Sequence, residues 1–176
     1  MDIVNEISES IIQASTKLSQ DKLKALKRAI DTETNENASW CLSQILENYR
    51  VAERTKFPLC DDTGIPHVII EVGSERIITG ELLSQIHEGI EFGLNSLPAR
   101  PMAVKGSDVE RIEQSQGLFE KPGMLKPASV LIDTGMDEST YGRNIHPDTL
   151  NVHFLLEGEV LKLGPRHSGC ITRGLF

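Results

Sequence analysis

A chain of 176 residues, 39% hydrophobic and 25% charged, has the length of one ordinary domain and the composition of a soluble globular protein. It holds no run approaching the roughly 18 apolar residues of a membrane span. Eighteen Lys and Arg against 26 Asp and Glu leave a formal charge of -8, which repels nucleic acid and anionic membranes on average. Three widely spaced cysteines, Cys41, Cys60 and Cys170, make a poor disulfide framework, and the acidic start lacks the basic and apolar regions of a secretory leader. The expected compartment is therefore the reducing cytoplasm.

Ile3, Val4, Ile7, Ile11 and Ile12 recur at helical spacing, and Leu23, Leu26 and Ile30 do so after the polar break at Ser19, which predicts two amphipathic helices within the first thirty residues. A third helix is expected over 37–55, with Trp40, Leu42, Ile45, Leu46, Tyr49 and Val51 as its apolar side and Pro58 ending it. Residues 68–72 form a short β-branched run, the pattern of a buried strand, and 80–97 return to helical period. Four prolines and no sustained period predict a long loop over 98–127. Strands are expected at 128–133, 150–156 and 159–163, the last two forming a hairpin around Leu-Glu-Gly-Glu. The fold class expected is α+β, with N-terminal helices packed on a small sheet in a single domain over 1–176.

Chemistry concentrates in the stretch Phe-Pro-Leu-Cys-Asp-Asp-Thr-Gly, residues 57–64, where a helix ends, a proline fixes the chain and Cys60 is followed by Asp61, Asp62, Thr63 and Gly64. A cysteine on a loop between a helix and a strand is available to a metal while its flanking elements hold it still. The two acids would raise a free thiol's pKa by like-charge repulsion, which argues against a nucleophile and for a thiolate stabilised by a bound cation. Composition alone nevertheless favours a structural Cys60 with Asp61 and Asp62 capping a turn, because one ligand makes no site.

Over a longer window, residues 48–73 resemble the start of the α subunit of class I fumarate hydratase and its relative L(+)-tartrate dehydratase. The family hallmark Pro-Leu-Cys-Gln-Asp-Thr-Gly follows a helix ending in Asn-x-x-x-Ala and precedes an apolar strand ending at Gly. Those features stand here as Asn48, Ala52, Pro58, Leu59, Cys60, Asp62, Thr63, Gly64 and Gly73. The resemblance implies that Cys60 is a ligand of a [4Fe-4S] cluster in which three cysteines hold three irons and the fourth iron acts as Lewis acid. Asp62 and Thr63 would lie beside the substrate as catalytic residues, and arginines would clamp a small dicarboxylate.

Asp61 replaces the family's Gln, putting an anion where an amide would donate to a substrate carboxylate. Leu-Pro-Ala-Arg, with Arg100, is a loose version of a family Leu-Arg-x-Ser segment, whereas the family's Asn-Thr-x-x-Asn-x-Pro and Cys-Pro-Pro segments have no counterpart. The tail has two readings. By order it occupies the slot of a Lys-Gly-x-Gly-Ser-Glu-Asn segment, with Arg166 for Lys and Gly169 retained. By letters, Pro165, Arg166, His167 and Cys170 resemble a Pro-Arg-His-Gly-Ala-Ser-Cys segment that carries a second cluster cysteine. Cys170 reads equally as a free cysteine near a frayed terminus.

Cys41 reads as a small core residue of the third helix. Packing or solvent accounts for His67, His87, His146 and His153, and Glu81, Glu88 and Glu91 form a solvated helix face. The resemblance is best over 1–104. It implies a subunit of an iron-sulfur hydro-lyase acting on fumarate, malate or tartrate, with Asp61, Arg100, Arg166 and His167 at the substrate, Cys60 and Cys170 on the metal, and a β-like subunit or a second copy as partner. The rival readings are a non-catalytic, truncated relative serving as an interaction or regulatory subunit, and a plain soluble module without metal.

Overall fold

The computed structural model describes residues 2–101, 103–127, 129–134, 145–157 and 170–175, with the backbone alone at 63, 108, 157 and 170–175. Helices α1 (Ile3–Thr16), α2 (Gln20–Thr32) and α3 (Glu36–Thr55) come first, followed by the two-residue strand β1 (Asp62–Thr63) and β2 (Ile65–Val72). Then come α4 (Gly80–Asn95), the short β3 (Arg100–Pro101), α5 (Asp108–Glu113) and a 3-10 turn at Pro122–Met124. The strands β4 (Ser129–Asp133), β5 (Leu150–Glu157) and β6 (Cys170–Leu175) complete an α+β fold.

Four strands make one mixed sheet in the order β4-β2-β5-β6. β2 runs parallel to β4 and antiparallel to β5, and β6 is antiparallel to β5. One face of the sheet carries Val68, Ile70, Val152 and Phe154, each at most 2% exposed, against Ile7 and Ile11 of α1 and Ile86, Ile90 and Leu94 of α4. Each such aliphatic side chain contributes roughly 1.5–3 kcal/mol by leaving water. The expected strand at 68–72 thus starts three residues earlier, at Ile65, alternates between half-buried and buried positions as far as Ile70, and is buried at both Glu71 and Val72.

The helical layer depends on two glycines. A β-carbon on Gly89 would stand 2.5 Å from Cβ of Ile7, and one on Gly93 would stand 2.7 Å from Cβ of Ile11. Glycines one turn apart on α4 therefore let α1 lie directly on its backbone. The hydroxyls that this contact buries are satisfied within α1, Ser10 by the Glu6 carbonyl at 2.7 Å and Thr16 by the Ile12 carbonyl at 2.7 Å.

Helix α3 departs from expectation. Of its expected apolar side only Tyr49 is buried, joined by Ala52, while Trp40 and Ile45 are 64% and 51% exposed. Cys41 is exposed as well, not a core residue. The reason is what covers the helix: α3 packs mainly on α2, which itself buries only Leu23. Periodicity reports an apolar stripe and not the element that meets it. Asn35 caps the start of α3 by accepting from the Asn37 and Ala38 amides, and Lys56, in the left-handed conformation at φ 61°, closes its end.

The expected loop at 98–127 contains β3, α5 and the 3-10 turn. α5 is nucleated by Ser107 and Glu110, whose carboxylate accepts the Ser107 amide at 2.7 Å. The strand expected at 159–163 lies outside the described residues, as does the second half of its hairpin around residues 156–159. Within the sheet the partner of β5 on that side is β6, which begins at Cys170, so that backbone is paired where one of the two readings of the tail placed a frayed end.

Candidate functional site

The loop between α3 and β2 is tied down immediately before its cysteine. The Leu59 amide donates to the Ser15 carbonyl at the end of α1, 2.8 Å away, and the Leu59 carbonyl accepts from Nδ2 of Asn48 on α3 at 2.9 Å. Both backbone polar groups of Leu59 are thereby committed to helices, and Cys60, the next residue, is held out with its thiol exposed.

Beyond Cys60 the chain meets a segment 38 residues away. β1 and β3 pair in parallel with Asp62 opposite Arg100 and Thr63 opposite Pro101, and the Arg100 amide donates to the Asp61 carbonyl at 2.7 Å. The same pairing brings the side chains together: Nη2 and Nε of Arg100 donate to Oδ1 of Asp62 at 2.6 and 3.0 Å, and Nε lies 3.8 Å from Oδ2 of Asp61. The guanidinium is held above its ordinary pKa, first by the hydrogen bond to Asp62 and its charge, which outweigh an opposing desolvation, with Asp61 and then Cys60 adding lesser contributions.

This cluster is open to solvent. The side chains of Arg100, Asp61 and Asp62 are 56%, 75% and 34% exposed, so the pairs add little to stability, about 0–1 kcal/mol. Their value is availability: a planar cation with paired N–H donors stands beside an accessible thiol, and an incoming carboxylate can compete with Asp62 for it. The unreplaced charge of Asp61 opposes a second carboxylate there.

Of the expected site residues, Cys60, Asp61, Asp62 and Arg100 are brought together, and Thr63 is placed by its backbone in β1. Arg166 and His167 lie outside the described residues. Cys170 lies in β6 opposite Leu155, which is itself paired with His67, so two strand spacings, about 10 Å, separate Cys170 from β2 at that level. Cys41 lies two turns before Asn48 on α3, about 10 Å along the axis. Among the described residues no three His, Cys, Asp or Glu side chains group to hold a metal ion.

Two features escape sequence reading. Asn48 is legible as part of a pattern, but its contact with the Leu59 carbonyl is not. The second is a polar network on the sheet's other face, where Glu71 Oε2 lies 3.0 Å from Nε2 of His153 and accepts from Asn151 at 3.0 Å. His153 is only 6% exposed, and alternation along β5 was its one sequence signal. A cavity of about 650 Å³ lies between α4 and the 3-10 turn, lined among others by His87, Glu91, Phe119 and Met124, and contains none of the site residues.

The profile of the family described as "Fumarate hydratase (Fumerase)" matches residues 4–141. The chain belongs to the fumarate hydratase family. Among its relatives is "Putative L(+)-tartrate dehydratase subunit alpha" of Methanocaldococcus jannaschii, 32% identical over 121 residues that make up 67% of this chain and 42% of that protein. The "L(+)-tartrate dehydratase subunit alpha" of Escherichia coli K12 is 28% identical over 106 residues, 58% of this chain and 35% of the relative. The chain thus spans about two fifths of the curated relatives it matches. Within this fumarate hydratase-family match lie Cys60, Asp61, Asp62, Thr63 and Arg100, whereas Arg166, His167 and Cys170 follow it. No described helix is long and apolar enough to cross a membrane.

Proposed function

We propose that this chain is an α-like subunit of an iron-sulfur hydro-lyase that reversibly hydrates a small C4 dicarboxylate of the fumarate, malate or tartrate type. The observation that carries the reading is the Leu59–Cys60 loop, fastened to α1 and α3 and set beside the Asp62–Arg100 pair. Family membership and relatives named as tartrate dehydratase α subunits support it.

The donor set fits one corner of a [4Fe-4S] cluster. Cys60 is exposed on a loop fastened to two helices and so is open to a cluster, Cys170 is the candidate for a second thiolate, and Cys41 on α3 stands away from the loop. When bound, the cluster would supply a Lewis acid toward a substrate hydroxyl and carboxylate. The chain's own residues have distinct tasks. Arg100 binds a substrate carboxylate through its paired N–H donors, and Asp62 orients that guanidinium in the free site. Once the substrate takes over the guanidinium, the Asp62 carboxylate is released to hold the proton moved at carbon, beside Thr63. Asp61, Arg166 and His167 complete the substrate end, with Asp61 disfavouring a carboxylate at its own position.

A β-like subunit or a second copy would bring the remaining groups, in keeping with relatives named as α subunits. The unpaired, exposed thiols of Cys41 and Cys60 suit a reducing cytoplasm. The second reading, a non-catalytic relative acting as an interaction or regulatory subunit, is favoured by one observation: Arg100 is flanked by two carboxylates rather than one. Anaerobic reconstitution with iron and sulfide, with a β-like subunit present, decides between them. The broad visible absorption of a thiolate-bound cluster, with turnover of fumarate or L-tartrate, is expected, and its absence under those conditions would sink the enzymatic reading.

A further inference from the structure

The Cys60 loop sets two carboxylates beside one cation, and the two are not equivalent. Asp62 accepts from Nη2 and Nε of Arg100 at 2.6 and 3.0 Å. Asp61 is held at its backbone, where its carbonyl accepts the Arg100 amide at 2.7 Å, but its side chain is not engaged in the same way. Oδ2 of Asp61 stands 3.8 Å from Nε of Arg100, beyond hydrogen-bond reach, and the side chain is 75% exposed. A fixed anion therefore stands next to the guanidinium with its acceptor oxygens available to a ligand. An ionised carboxylate only accepts, so whatever docks against it has to bring a proton donor, and a positive charge suits it best.

We propose that this cluster recognises the zwitterionic end of an α-amino acid, its carboxylate on Arg100 and its ammonium group on Asp61. The proposal rests on reading the loop as the substrate end of the site. It narrows the substrate class from a plain C4 dicarboxylate to one with an amino group beside the carboxylate, which for a hydro-lyase means a hydroxylated α-amino diacid. A cation and an anion side by side match a carboxylate and an ammonium carried on one carbon. Arg100 alone against Asp61 and Asp62 leaves an excess of negative charge, which repels a plain dicarboxylate and attracts an ammonium. A hydroxyl in place of the ammonium could donate to Asp61 but would lack the attraction between opposite charges, so a hydroxy diacid ranks between the two.

L-Aspartate, L-malate and succinate share one C4 diacid skeleton and differ only in bearing an ammonium, a hydroxyl or neither, so they isolate the contribution of Asp61. Binding of each to the 176-residue chain is read by NMR from the Arg100 Nε–H signal and the Gly64 amide. L-Aspartate is expected to bind about fivefold more tightly than succinate, with L-malate between them, a modest ratio because the charges are exposed. Added salt should narrow the gap. Asp61→Asn, altered at an exposed side chain, should keep the wild-type circular dichroism and melting midpoint while weakening L-aspartate and tightening succinate, so that the preference disappears. Asp31→Asn, which removes one unit of charge from an exposed position on α2, should leave the order unchanged.

The order of binding is read without a cluster, so failure of reconstitution would leave it standing. A cluster-bearing complex that prefers the unsubstituted diacid would sink this inference alone. L-Malate or succinate binding as tightly as L-aspartate, a preference that survives Asp61→Asn, or no binding of any of the three would each overturn it.

Discussion

The α1–α4 seam and the Cys60 loop lie at opposite extremes of the same molecule. At the seam, Ile7 and Ile11 are at most 1% exposed and lie against bare glycine backbone, so shape alone holds the helices together. At the loop the side chains of Asp61 and Arg100 are more than half exposed, and the segment is held by main-chain bonds to Ser15, Asn48 and Arg100. The contrast separates two kinds of importance: residues whose loss unfolds the chain, and residues whose loss leaves the fold and removes chemistry.

Substitutions should sort along that divide. Phe154→Ala, which empties a position 1% exposed between the sheet and its helices, should show the largest effect, a loss of about 3–5 kcal/mol in urea unfolding. Gly89→Val should follow at about 3 kcal/mol, because the new side chain meets Ile7 and the Val4 carbonyl within van der Waals distance, and α1 has to move off α4. Asn48→Ala should remove about 1 kcal/mol through its bond to the Leu59 carbonyl. It should also change the alkylation rate of Cys60 while leaving that of Cys41 unchanged, which a purely global loss of stability would not do.

Arg100→Ala should alter stability by less than about 1 kcal/mol, since its ion pairs are solvent-exposed, yet abolish dicarboxylate binding as read by calorimetry on the reconstituted complex. Asp61→Gln, which removes the carboxylate that competes for the same guanidinium, should tighten that binding. The smallest effect concerns α5. Hydrogen bonds from the Ser107 backbone and side chain hold Glu110 below its ordinary pKa, so the carboxylate stabilises the helix above that ordinary value. The contribution fades as pH falls through the depressed one. Glu110→Gln should flatten that part of the acid titration of stability.

The same divide marks what could be read from the amino-acid sequence. α1, α2 and α4 were legible from helical period, and β2 from its β-branched run, because local patterning dictates them. The outward turn of Trp40 and Ile45 was not, since it depends on α3 packing mainly against α2. Gly89 and Gly93 sat unread inside a helical pattern, their significance lying in the approach of α1, eighty-two or more residues earlier in the chain. α5 was hidden in a proline-containing stretch although Ser107 and Glu110 spell its capping box. At the site, the residues around Cys60 were legible as a motif, whereas the parallel pairing that carries Arg100 to Asp62 joins two dipeptides and has no local signal.

The central claim, that the tethered Cys60 loop is where this chain meets an iron-sulfur cluster, is tested most directly by measuring iron and sulfide retained after anaerobic reconstitution of the wild type, Cys60→Ser and Cys41→Ser, each with a β-like subunit. The account predicts that Cys60→Ser loses the cluster and keeps its melting midpoint, while Cys41→Ser, altered on an exposed face of α3, retains it. Equal retention by all three proteins would contradict it.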